Sequence, residues 1–341
     1  MNIKKFALIA LTFTFVFTSC SNDDDTSSPD PLGNYENGIL VSHEGNFFGG
    51  NASVSYVSND FQTVENNVFS SVNSTPLGDT AQSITFNGNL AYIVLNVSNT
   101  IEVVNRYTFE SVATITGFSS PRYMAISNGK GYVTNWGEYT PTNDDVIAVV
   151  DLSTNSIIDS ISSSYLPNEI IAVGNKVYVA TGIFGNGNEI NVINTETDEL
   201  EGSITVGNSP DSFQLDSNGD LWVLSSENLI EINTTTDLIS QTINLGTTIS
   251  FPSDLNFEDG NFYVYAGGSV YKMSETATSF PTTSEISGVS FYGMSIRNGF
   301  LYGVDAGDFA SDGELKIYDL STNNEIESVT LNIIPGDVYF N

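Results

Sequence analysis

The residues of this chain that could do chemistry are few. His43 is its one histidine and Cys20 its one cysteine. A Ser-His-Asp arrangement would have to run through His43, and no Gly-x-Ser-x-Gly turn presents a serine to it. A multi-histidine metal centre is excluded, and the usual zinc sites with it. Asp305, Asp308 and Asp312 sit close together in the Gly-containing stretch DAGDFASDG (305–313), which offers the oxygen ligands that calcium takes. Their spacing is not that of an EF-hand loop, and a solvated acidic loop is the competing reading. Asp144 and Asp145 pose the same choice. No catalytic residue and no resident cofactor is assigned. A different pattern carries more weight. Phe47, Phe48, Trp136, Tyr139, Phe184 and Phe309 all fall in polar stretches rich in Gly and Asn. Exposed aromatics lower solubility unless they cover something, so they read either as a ligand platform or as plugs folded back over the ends of strands. Arg122 and Arg297 are two of only three arginines. They are candidates to pair an anionic ligand group or to neutralise an acidic rim.

The elements that must position these residues are repeats. An anchor residue, usually proline, is followed 11 or 12 positions later by an aromatic within a short apolar run: Ala81 and Tyr92, Pro121 and Tyr132, Pro167 and Tyr178, Pro210 and Trp222, Pro252 and Tyr263, Phe291 and Tyr302. Turn signals such as Asn128-Gly129, Asp259-Gly260 and Asn298-Gly299 come just before the aromatic and read as hairpins. In one unit PRYMAIS (121–127), GYVTN (131–135), VIAVVD (146–151) and IIDSIS (157–162) are four strand-sized pieces. Four antiparallel strands recurring about every 40–46 residues describe a blade of a β-propeller.

The ends of the chain decide the number of blades. Six complete units follow the six anchors. Ahead of them GILVS (38–42), ASVSYVS (52–58) and TVENNVF (63–69) supply three strands of another blade, and PGDVYFN (335–341) matches the missing first strand. The expected fold is therefore an all-β, seven-bladed propeller of four-stranded antiparallel blades over residues 35–341. Its first blade is closed by the C-terminal strand, which removes two exposed sheet edges. Six or eight blades would require this split blade to be wrong. Antiparallel topology puts the loops between second and third strands on one face, together with the connections between blades. That is the face of HEGNFFGGN (43–51), NWGEYTPTND (135–144), TGIFGNGN (181–188) and DAGDFASDG (305–313).

Ahead of the repeat, Lys4 and Lys5 precede a short apolar run, Phe6 to Phe17, and Thr18-Ser19-Cys20 ends it. The run is too short for a comfortable membrane span and reads as a processing signal. A single cysteine after such a run resembles a bacterial lipobox, with Phe17 departing from the usual leucine and Ser19 fitting the small position. The resemblance implies a lipoprotein signal peptide over 1–19, lipidation at Cys20, a flexible tether over 20–34 and an outer-membrane location. Asp23, Asp24 and Asp25 resemble the surface-export signal of Bacteroidota lipoproteins, which implies that the protein faces the cell exterior. The net charge of −32, from 41 acidic and 9 basic residues, repels nucleic acid and anionic membranes.

The opening phrase GILVSHEGNFFGGNASVSYVS (38–58) resembles the first blade of Bacteroidota surface propeller lipoproteins, the YncE-like proteins and the BtuG-type group that captures vitamin B12. These begin with an Asn-Glu-Gly-Asn phrase followed by Asn-Ala-Ser. Here His43 replaces the first Asn; Glu44, Gly45 and Asn46 match, and Asn51-Ala52-Ser53 follows. The resemblance implies ligand capture, with a corrinoid as the best single guess, for delivery to a TonB-dependent transporter. It also implies a ligand face that includes His43, Glu44 and Asn46, with the His43 imidazole available in principle to cobalt. Two other readings stay open: a protein-interaction or adhesion propeller, and a propeller enzyme of lactonase or quinoprotein type. Scarcity of His and Lys weighs against the enzyme.

Overall fold

The computed structural model describes residues 32–138, 144–185, 187–247 and 249–341. They form seven four-stranded antiparallel sheets. From the inside outwards, the second blade runs Ala81–Asn87, Leu90–Leu95, Thr100–Asn105 and Ser111–Thr116. The third runs Pro121–Ser127, Lys130–Asn135, Val146–Asp151 and Ser156–Ser162. The first blade is built from both ends of the repeat region: Pro335–Phe340 is its inner strand, and Gly38–His43, Ser53–Ser58 and Val64–Glu65 follow. The closing register pairs Leu40 with Tyr339, Val41 with Val338 and Ser42 with Asp337. The ring closes as the repeat predicts. The fourth strand of this blade is shorter than TVENNVF suggests, because the chain leaves it after Glu65 and forms a short helix, Val68–Asn73, whose Val68 and Phe69 are buried.

Local sequence explains the blade. In the tight turns Asn128 and Gly129 have φ of 52° and 74°, and Asp259-Gly260 and Asn298-Gly299 behave alike. Two successive positive φ values make the turn that suits the twist of a hairpin, and Asn, Asp and Gly tolerate it best. The second strands carry the repeated aromatic. Tyr92, Tyr132, Tyr178 and Trp222 are fully buried. Seven apolar clusters result, one for each pair of neighbouring blades. One joins Ala125, Tyr132 and Val149 to Val177 and Val179; another joins Ile39, Val41 and Val338 to Val304 and Leu315.

The buried tyrosines also fasten blades together through their hydroxyls. Tyr132 Oη donates to Asp198 Oδ1 at 2.6 Å, and Lys130 Nζ, two residues earlier, meets the other oxygen of Asp198 at 2.6 Å. Asp198 lies in the turn between the third and fourth strands of the next blade. One blade further on, Tyr178 and Lys176 hold Asp237 in the same way, at 2.7 and 2.6 Å. Between the second and third blades the equivalent residues are Leu90, Tyr92 and Asn155, and there Tyr92 Oη and Asn155 Oδ1 are buried with no hydrogen-bond partner among the described residues. Among the described residues, no helix is long and apolar enough to cross a membrane.

Candidate ligand-binding site

Every inner strand starts on the same face, and the two residues after each anchor turn into the mouth of the central channel. Thirteen of these fourteen positions line one cavity of about 560 Å³: Gly336 and Asp337, Gln82, Arg122 and Tyr123, Asn168 and Glu169, Asp211 and Ser212, Ser253 and Asp254, Tyr292 and Gly293. The geometry follows from the entry to each strand. In six blades the residue before the anchor has a positive φ, as at Ser120 (55°) and Ile334 (51°), so the chain turns sharply from the connecting loop into the channel wall. Loops add Glu44, Phe47, Trp136 and Phe184 above this ring.

The chemistry of the mouth is acidic. Glu44, Glu169, Asp211, Asp254 and Asp337 face the cavity, and Arg122 is the one Lys or Arg in its lining. Arg122 is held elsewhere: Nε donates to Asn168 Oδ1 at 3.2 Å, Nη1 donates to Gln82 Oε1, and its Cζ lies 4.2 Å from the centre of the Trp136 ring. Among the described residues no carboxylate comes within 4.0 Å of it. Burial, followed by the charges of Asp337 and Asp211, pushes Asp254 up to about 8. Burial pushes Asp211 and Asp337 up to about 6, with Arg122 opposing at Asp211. Glu169 is raised well above the carboxylate range by burial and then by Asp211 and Asp337. Glu44 is raised by burial, opposed by Arg122 and by the hydroxyl of Tyr292, which donates to it at 3.2 Å. Carboxyl groups from four blades thus share one poorly solvated space and hold protons more tightly than isolated ones.

The expected ligand residues divide into two groups. Glu44, Phe47, Arg122, Trp136 and Phe184 meet at the cavity. Trp136 is not the exposed plate that its loop suggests: it is 4% exposed, its Nε1 donates to the Pro167 carbonyl at 2.8 Å, and its face is covered by Arg122. Phe184 stands edge-on to it, 74% exposed. Phe48 packs beside Phe47, and Phe309 sets its edge against Tyr292, both outside the cavity lining. Asn46 is in an exposed turn, where its N–H donates to Asn51 Oδ1. His43 is fully buried, with Nε2 2.8 Å from Ser55 Oγ, and burial pushes it down to about 4, so it is a neutral core residue out of reach of a ligand. Arg297 is at the far end of its strand, Gly293–Arg297, some ~13 Å from the mouth by strand rise, over the Phe340 ring. Cys20 and Tyr139 lie outside the described residues. Asp305 pairs with Lys316 of the following strand, Asp312–Asp319, at 2.9 Å, while Asp308 accepts from the N–H groups of Ala310 and Ser311 of its own loop. Among the described residues only Asp216, Asp220 and Glu231 bring three carboxylates within 4.8 Å of one another, and the oxygens of Asp216 already accept from the backbone and from Trp222 Nε1.

The four channel carboxylates were missed by motif reading. Their signal is positional: the first or second residue after an anchor. Several exposed aromatics of this face share a second property. Phe48, Tyr165, Phe184, Phe251 and Phe309 have φ of 62°, 50°, 68°, 52° and 57°. A left-handed backbone is uncommon for bulky residues and costs roughly 1–2 kcal/mol each.

Known proteins share the fold. A quinoprotein alcohol dehydrogenase-like protein from Bacteroides thetaiotaomicron aligns over 90% of this chain and 78% of its own, with 13% identity and a TM-score of 0.69. A functionally unknown protein from Desulfotomaculum acetoxidans aligns over 89% and 98%, with 11% identity and a TM-score of 0.68. AztD from Citrobacter koseri aligns over 88% and 82%, with 12% identity and a TM-score of 0.57. At such identities these similarities speak to the fold alone. No curated protein matches the chain significantly. The model of the domain of unknown function DUF5074 matches residues 37–331, most of the ring, and the chain belongs to that family.

Proposed function

We propose that this propeller captures a small ligand at the channel mouth and does not transform it. One observation carries the reading: Phe47 and Phe184, 56% and 74% exposed, line a 560 Å³ cavity whose floor is polar. That volume suits a small organic molecule, and the mixture of apolar walls with a few polar groups is that of a binding site. Left-handed aromatics around the rim add support, because backbone strain is retained where function needs it. In this reading Cys20 carries a lipid, the protein sits on the outer membrane facing outwards, and the ligand passes to a TonB-dependent transporter. A corrinoid is the candidate implied by the opening phrase. Its macrocycle would lie across Phe47 and Phe184, with only a substituent entering the cavity and donating to its carboxylates.

Calorimetry of the propeller (residues 32–341) with cyanocobalamin, haem and a small-molecule panel tests the reading. Saturable binding that weakens in Phe184→Ala is expected, and a panel with no binder would remove it. A protein-docking face is the second reading, favoured by Phe251 and Phe48. These are 87% and 77% exposed on the same face, outside the cavity.

A further inference from the structure

We propose that the mouth is selective for organic cations, taking an ammonium or guanidinium group among Glu169, Asp211, Asp254 and Asp337 with an apolar body against Phe47 and Phe184. The proposal rests on the capture reading and names its ligand class. The site itself stands on the cavity and its aromatic walls; three further observations fix the sign of the charge.

First, five carboxyl groups face one space, and the single guanidinium in the lining opposes the rise at Glu44, Asp211 and Glu169 only against the larger effect of burial. Arg122 is turned to Gln82, Asn168 and the Trp136 face, with no described carboxylate within 4.0 Å. An anionic ligand would meet those carboxylates as like charges, whereas a cation supplies the counter-charge that the site lacks.

Second, the groups are distributed around the ring. Asp337 comes from the first blade, Glu169 from the fourth, Asp211 from the fifth and Asp254 from the sixth, so the acid converges on the channel axis. Only Asp216, Asp220 and Glu231, none of them in the mouth, bring three carboxylates within 4.8 Å among the described residues. The mouth therefore offers a wide acidic ring suited to a multi-donor head group, and no preformed cage for a bare metal ion.

Third, the rim is apolar. Phe47 and Phe184 stand exposed at its edge, placed to cover a hydrocarbon or aromatic body and to present ring faces to a cation.

Proton linkage follows from the same geometry. The groups facing the mouth are Glu44, Arg122, Tyr123, Glu169, Asp211, Asp254, Tyr292 and Asp337, with Tyr339 beneath them. In the empty mouth Asp254, raised to about 8, holds its proton near neutrality, and Glu169 is raised well above the carboxylate range by burial and by Asp211 and Asp337. A bound cation favours their ionised forms, so binding releases protons and the affinity rises with pH between about 6 and 8, by up to roughly tenfold per pH unit for each proton released.

The experiment compares tryptamine with its neutral isostere tryptophol by calorimetry of the propeller, in two buffers of different ionisation enthalpy. Expected are at least roughly tenfold tighter binding of tryptamine, release of about one proton near pH 7, and a loss of roughly tenfold in Asp254→Asn and in Glu169→Gln. Asp308→Asn removes an equal charge from the same face outside the cavity and should leave tryptamine binding unchanged. Equal binding of the two isosteres overturns the cation proposal and leaves capture standing, whereas tighter binding of tryptamine without proton release supports the cation site and overturns only the proton linkage. No binding of tryptamine at about 5 mM also overturns the cation proposal. If cyanocobalamin, haem and the small-molecule panel fail as well, the capture reading falls with it.

Discussion

Asp198→Asn tests how the blades are fastened. In the wild type the Asp198 carboxylate accepts Lys130 Nζ at 2.6 Å and Tyr132 Oη at 2.6 Å. The amide keeps the shape and tolerates the left-handed backbone, with φ of 59° at this position, but loses the charge. Both side chains of the ion pair are about one-fifth exposed, at 21% and 18%, so its loss is worth about 1 kcal/mol after screening. Turning the tyrosine bond from charge-assisted to neutral removes about 1 kcal/mol more. The unfolding entropy of a domain this size, about 0.65 kcal/mol per kelvin, converts the ~2 kcal/mol into a fall in Tm of about 3 °C. The protein contains its own reference. Between the second and third blades the same positions are Leu90, Tyr92 and Asn155, an interface that lacks both charges of the clasp, and there the buried polar atoms have no partner among the described residues. The double substitution Leu90→Lys with Asn155→Asp should install the missing clasp and raise Tm by a similar amount. Differential scanning calorimetry measures both. If D198N melts within about 1 °C of wild type while the double substitution gains nothing, the clasp is ornamental and the reasoning fails.

Three further outcomes are expected. Deleting residues 334–341 strips the inner strand from the first blade, with the buried Val338, and should lower stability by several kcal/mol, on the order of ~4, read as a large drop in Tm or as insoluble protein. Stability should rise by about 2 kcal/mol as pH falls from about 8 to 6, because folded Asp254 takes up a proton in that window while the unfolded chain does not. Below about pH 6.5 His43 works against this, because the unfolded imidazole is protonated while the folded one stays neutral down to about 4, but folded Asp211 and Asp337, raised to about 6, take up protons in the same window, so the gain should slow without reversing, and urea titrations across the range read the slope. Cys20→Ala should leave the protein unprocessed or unanchored, which fractionation and the mature N-terminal sequence would reveal.

The ring was legible because the rules that build it are local. An Asn-Gly turn, a buried aromatic and a proline at strand entry recur at fixed spacing, and each is dictated by backbone sterics or burial. The same pattern put Val338 and Asp337 opposite Val41 and Ser42 across the whole length of the chain. The site was legible only in part. Phe47 and Phe184 were visible because an aromatic among glycines and asparagines has nothing nearby to bury it. Trp136 looked the same in sequence, yet the Pro167 carbonyl and Arg122 come to it from outside its own loop. His43 lies next to matching motif residues, but strand alternation turns it inwards while Glu44 enters the cavity. Arg297 and Gly293 share a strand whose ends open on opposite faces, so proximity to a first strand did not fix which mouth it served. Asp211, Asp254 and Asp337 resemble any other acidic residue until the seven anchors are superposed.

Seven separate cores arranged in a circle also decide how this protein comes apart. A linear array of repeats frays, because its terminal unit is held on one side only. Here the pairing of Pro335–Phe340 with Gly38–His43 gives every blade two neighbours, and the cluster around Ile39, Val41 and Val338 is the one that would otherwise be missing. Releasing any blade breaks two interfaces at once. Partial opening is therefore disfavoured, and the platform that holds the mouth persists until the whole circle gives way.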